Sequence, residues 1–122
     1  MLHRVFLNKA GHIETNFMGD LSRNDFRKVA TQVQEYADQL STAGKKVLVI
    51  NDVTKIGNVA KEVQQLSFRT VRDLDFEKMA AFGMPKSLQE FANVVVTLAG
   101  KGQRIKFFEA RPEAESWLTQ EK

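Results

Sequence analysis

The side chains best suited to chemistry fall in three short segments: Asp52, Thr54, Lys55 and Asn58; Lys86 and Ser87; and Arg111. Each segment follows an apolar run and precedes a helical pattern, so a parallel sheet would gather them on one rim beside helix N-terminal N–H groups. Lys55, Lys86 and Arg111 would add positive charge there, which suits a phosphate, a carboxylate or an acidic segment of a partner. Ordinary turn and capping chemistry is the preferred account of Asp20, Ser22, Asn58 and Ser87, because no glycine-rich phosphate loop accompanies the cations.

No catalytic constellation stands out. A nucleophile–histidine–acid triad has no local signature, and the absence of cysteine excludes disulfides and thiol catalysis. With a four-residue loop in the first hairpin, His12 would face Leu7 and leave His3 roughly 13 Å away along the neighbouring strand, too far to share an ion. Both histidines are therefore read as solvent-facing or capping, and neither a metal nor a cofactor is expected. Asp73, Asp75 and Glu77 alternate with Leu74 and Phe76 and read as a solvated connection.

A candidate partner surface lies on the second helix. At 100° per residue Phe68 sits about 180° from Val59, on an outer face with Lys61, Gln65 and Arg72. An aromatic among cations suits partner binding, although single exposed apolar residues are ordinary. Val94 and Val96 flank the core face of the third helix and widen it, which fits a homodimer, a ligand pocket or deep packing. Lys45, Lys46, Lys101 and Arg104 gather at the opposite rim, where they complement helix C-terminal dipoles.

The elements that position these residues follow from periodicity. Leu2–Leu7 and His12–Met18 read as a hairpin around Asn8-Lys9-Ala10-Gly11. Ser22, with Asp25 three residues on, caps a helix whose apolar face runs from Phe26 to Leu40 and which ends at Gly44. Lys46–Asn51 reads as a strand covered on both faces, Asp52–Asn58 as a loop, and Val59–Leu74 as a helix with Val59, Val63, Leu66, Thr70 and Leu74 inward. Lys78–Phe82 is a strand, Ser87 caps a helix over Leu88–Ala99, and Arg104–Phe108 is the last strand. Pro112 then opens a short helix carrying Ala114, Trp117 and Leu118. The expected fold is a single α/β domain over residues 1–122, in the order ββαβαβαβα, with helices packed on a mostly parallel five-stranded sheet whose N-terminal strand is antiparallel.

Composition narrows the class. The 122 residues are 43% hydrophobic and 27% charged, enough for one core burying roughly two-thirds of the unfolded surface. The net charge of +3 is spread among acidic residues, which argues against nucleic acid. MLHRVFLNKAG lacks the apolar core of a signal peptide, and no run approaches the roughly 20 apolar residues of a membrane span, so a cytoplasmic protein is expected.

The element order, together with Val47–Thr54 (VLVINDVT), Lys78–Gly83 (KMAAFG) and Phe107–Leu118 (FFEARPEAESWL), resembles the SpoIIAA-like proteins of the STAS superfamily. Asp52, Thr54, Phe107, Phe108, Ala114, Trp117 and Leu118 match the family's strand and helix motifs. Anti-sigma-factor antagonists of the superfamily carry an Asp-Ser-Ser-like phosphoacceptor segment where this chain has Lys55-Ile56-Gly57-Asn58-Val59, with no serine. The resemblance is closer to small stand-alone bacterial SpoIIAA-like proteins, related in fold to CRAL-TRIO lipid-binding domains. It implies a non-catalytic regulatory or protein-interaction domain that binds a protein partner or itself; the alternative is a binding module for a small apolar or lipid-like ligand, held between the sheet and the second or third helix.

Overall fold

Alternation along the strands divides the molecule into two unequal layers. The computed structural model describes residues 2–120. Its elements are β1 (Arg4–Leu7), β2 (Ile13–Leu21), α1 (Arg23–Thr42), β3 (Leu48–Val59), α2 (Glu62–Asp73), β4 (Lys78–Phe82), α3 (Lys86–Ala99), β5 (Ile105–Phe108) and α4 (Arg111–Thr119). The sheet order is β1-β2-β3-β4-β5, with β1 antiparallel to β2 and every other pair parallel, as the sequence predicts. Because the crossovers from β2 to β5 all step in one direction, connections of one hand deliver α1, α2 and α3 to the same face. Ile13, Val49 and Ile105 pack there with Val29, Val33, Ala37 and Leu40 of α1. On the other face Ile50, Ala80 and Phe82 pack against Ala114 and Leu118 of α4.

Local chemistry explains the boundaries that the sequence reading finds. Asn8 Oδ1 accepts from the Ala10 and His12 N–H groups and closes the first turn. Ser22 Oγ accepts from Asp25 N–H at the start of α1, and Gly44, at φ 73, lets the chain leave its end. The Phe108 and Trp117 rings meet at 5.9 Å in the smaller layer, where Trp117 is structural.

Several boundaries depart from expectation. Asp52–Asn58 is not a loop: β3 runs on to Val59, pairing Met18 with Lys55, Gly19 with Ile56 and Leu21 with Val59 across two irregular steps. Polar side chains hold this extension, since Asp52 Oδ1 accepts from Thr54 N–H and Asp20 Oδ1 accepts from Asn58 N–H at 2.8 Å. Helix α2 consequently begins at Glu62 instead of Val59, and its cavity-facing residues are Val63, Ser67, Thr70, Val71 and Leu74, with Leu66 only half-buried. Ser87 caps nothing; α3 begins at Lys86 with Pro85 in the cap position. In the hairpin Leu7 pairs with Ile13, not His12, and both histidines are 4% exposed and not solvent-facing.

Gly83 has a double requirement. Its φ is +76, and a Cβ there would collide with Thr54 Cγ2. At Gly44 the φ is +73 and nothing stands within 4 Å of a Cβ. Gly83→Ala is expected to lower the unfolding free energy by about 3 kcal/mol and Gly44→Ala by about 1 kcal/mol in urea titrations. Equal losses would show that the Thr54 contact costs nothing.

Candidate functional site

The rim that the sequence singles out is built around a carboxylate the sequence reading misses. Glu14, the second residue of β2, lies on the α4 face and is 4% exposed. Its oxygens accept four hydrogen bonds: from Arg111 Nη2 at 2.7 Å and Nη1 at 3.2 Å, Asn16 Nδ2 at 2.9 Å and Asn8 Nδ2 at 3.1 Å. Burial alone would push the carboxyl up, but the hydrogen bonds from Arg111, Asn16 and Asn8, with the guanidinium charge, outweigh it and hold Glu14 at about 2.

Arg111 is correspondingly occupied. Beyond Glu14 it reaches Glu115 at 3.3 Å and Asp52 at 3.9 Å, and its guanidinium lies 5.0 Å from the Phe82 ring centroid. Arg111 is thus one cation among three carboxylates, and its guanidinium is already paired. Of the predicted rim residues the structure joins Asp52, Thr54 and Arg111, because the Thr54 hydroxyl donates to Asp52 Oδ1 at 2.7 Å. Lys55, Lys86 and Ser87 are exposed and, among the described residues, make no ion pair or hydrogen bond with Arg111; Asn58 contributes its backbone N–H to Asp20.

The predicted partner surface is likewise engaged. Lys61 and Gln65 are exposed, but Phe68 is half-buried, and Arg72 sits 5.3 Å over its ring while binding Asp73 at 2.8 Å. At the opposite rim Lys101 Nζ donates to Leu74 O and Arg104 to Phe76 O, so those cations serve carbonyls around the end of α2.

Both histidines are structural. His3 Nδ1 accepts from Met18 N–H, which leaves Nε2 to donate to Asp20 O, each at 3.0 Å. His12 Nδ1 is buried and finds no partner among the described residues, and burial lowers its pKa against the opposing charges of Glu115 and Glu14. Among the described residues no group of three or more histidines and carboxylates is placed to hold a metal ion.

The concave site lies elsewhere, between the sheet and the α1–α3 layer. A cavity of about 190 Å³ opens there, walled by aliphatic and aromatic side chains of β2–β5, α1, α2 and α3. Phe17, Phe91, Val96 and Phe107 are among them, so Val96 faces the cavity whereas Val94 turns to solvent. Its polar lining consists of Thr15, Asn51, Ser67 and Thr70. Thr15 and Asn51 are register partners on the sheet, and the Thr15 hydroxyl donates to Asn51 Oδ1 at 2.6 Å. The sequence offered one signal for this floor: a polar residue within each of two strands expected to be buried on that face.

Acid should destabilise the fold in two stages. Folded His12 resists a proton that the unfolded side chain takes near pH 6.5, so stability falls as pH drops below that value. Glu14 contributes above its unfolded value of 4.5, and that contribution is lost as pH falls toward 2. Urea midpoints measured from pH 8 to pH 2 should show both stages, and His12→Phe should remove only the first. A flat profile between pH 7 and 3 would contradict the account.

The geometry can now be set beside known proteins. The SpoIIAA-like family model matches residues 12–119. An uncharacterized protein from the DUF3478 family, with a SpoIIAA-like fold, from Shewanella loihica PV-4 has a crystal structure similar to this chain. The TM-score is 0.66 at 15% identity, covering 95% of this chain and 93% of that one. At such identity the likeness concerns the fold. No curated protein matches significantly. With its family match spanning most of the described residues and its ββαβαβαβα order intact, the chain belongs to the SpoIIAA-like family.

Proposed function

We propose that the protein is a non-catalytic, cytoplasmic binding domain that holds a small apolar ligand between its sheet and helices α2 and α3. The observation that carries this reading is the 190 Å³ cavity with its nearly unbroken apolar wall. Apolar concavities with a few placed polar groups are the usual form of small-molecule sites. Interiors otherwise pack at crystal density, so a void of this size forfeits dispersion contacts that a ligand would restore. The volume also limits what sits inside: an engineered apolar cavity of about 150 Å³ takes benzene, so the part of a ligand held within this space is of about that size.

A regulatory or protein-interaction role is the second reading. One observation favours it: α3 leaves Val94 and Leu98 52% and 67% exposed. The rim and Phe68 support it less, since Arg111 and Arg72 are already paired. Among the described residues no helix is long and apolar enough to cross a membrane.

Native mass spectrometry of protein purified from cells, followed by organic extraction, tests the first reading. A stoichiometric adduct that extraction releases as an apolar small molecule is the expected result. Protein that emerges empty, and whose melting temperature no apolar compound raises, would overturn it.

A further inference from the structure

We infer that the cavity selects an uncharged molecule of about the size of a substituted benzene ring, and that Thr15 and Asn51 bind a single hydroxyl group on it. This rests on reading the cavity as a binding site.

Charge is excluded by the wall. Every side chain lining the space is apolar or neutral, with no Lys, Arg, His, Asp or Glu among them. An ionised group buried there would be unpaired, so a carboxylate, a phosphate ester or an ammonium would lose its hydration with nothing in return. Among the described residues the anions and cations all lie outside this space, including the Glu14–Arg111 pair on the far side of the sheet.

The remaining selectivity lies in the floor. Thr15 is 2% exposed, on a sheet face whose other buried residues are aliphatic or aromatic. Its hydroxyl spends its one hydrogen on Asn51 Oδ1 at 2.6 Å. Asn51 Nδ2 gives one hydrogen to Ala80 O at 3.3 Å, which orients the amide with its oxygen toward Thr15. Among the described residues, nothing donates to Thr15 Oγ1 and nothing accepts the second Nδ2 hydrogen. One group of each kind is thus available at neighbouring positions: an acceptor on β2 and a donor on β3. A ligand hydroxyl can satisfy both, donating to Thr15 Oγ1 and accepting from Asn51 Nδ2–H. A carbonyl oxygen can satisfy only the second.

The test titrates the full chain, followed by amide NMR, with three probes of similar size at neutral pH: benzyl alcohol, ethylbenzene and benzoate. A purely apolar cavity would reject the alcohol about tenfold or more relative to the hydrocarbon, because its hydroxyl would be stripped of water unpaired. The inference expects benzyl alcohol to bind at least as tightly as ethylbenzene and to shift the Asn51 side-chain amide, with benzoate not binding. Thr15→Val should then weaken benzyl alcohol about tenfold and leave ethylbenzene unchanged. Ethylbenzene binding with the alcohol tenfold weaker, or benzoate binding comparably, would overturn the hydroxyl assignment while the cavity reading stands. Failure of all three probes to bind would overturn both. The comparison of probes on the unmodified chain needs no variant to fold.

Discussion

Everything else in this molecule depends on the sheet being assembled in sequence order. When β2, β3, β4 and β5 lie side by side and are linked by crossovers of one hand, their three helices land on one face. That face becomes thick and apolar: helices α2 and α3 contact each other, and their Val71 and Val96 pack against the core cluster. The other face receives only α4, nine residues long, which reaches β3, β4 and β5. A short helix cannot cover a five-stranded sheet, so the β1–β2 half of that face carries the polar Arg4, Glu14 and Asn16 beside Phe6.

Strand alternation turns this asymmetry into two polar centres with opposite characters. Glu14 and Thr15 are adjacent, as are Asn51 and Asp52, yet each pair divides between the faces. On the thin face Glu14 and Asp52 meet Arg111, and the guanidinium joins the N-terminal hairpin to the first turn of α4. Glu14 accepts four hydrogen bonds there, which makes the cluster a clamp between the hairpin and α4. On the thick face Thr15 and Asn51 meet each other and retain hydrogen-bonding capacity beneath an apolar space. The proposed binding site is therefore the one whose polar groups are few and incompletely used.

Much of the architecture was legible because it is local. Ser22 with Asp25, Gly44, the apolar run Val47–Ile50 and Pro112 each act within a few residues, and the element order follows from them. The missed features are held by distant partners. Asp52, Thr54 and Asn58 look like loop residues until Asp20, 38 positions from Asn58, secures the strand extension. That same extension delays α2 and turns its inward stripe from Leu66 to Ser67. Nothing near Glu14 in the chain marks it, because its partner Arg111 is 97 positions away. His3 has polar backbone partners at Met18 and Asp20, which no spacing rule reports. The cavity itself was visible only as an over-wide apolar face on α3.

Whether the space under α2 and α3 is dry and open to an apolar ligand can be read from a crystal of the protein pressurised with xenon. Apolar cavities of this size stay empty of water and take up xenon. The account predicts a xenon peak between the β2–β3 floor and α2, with Phe17 and Phe107 unmoved. A chain of ordered waters in that space, or helices closed down on the sheet with no xenon between them, would contradict it.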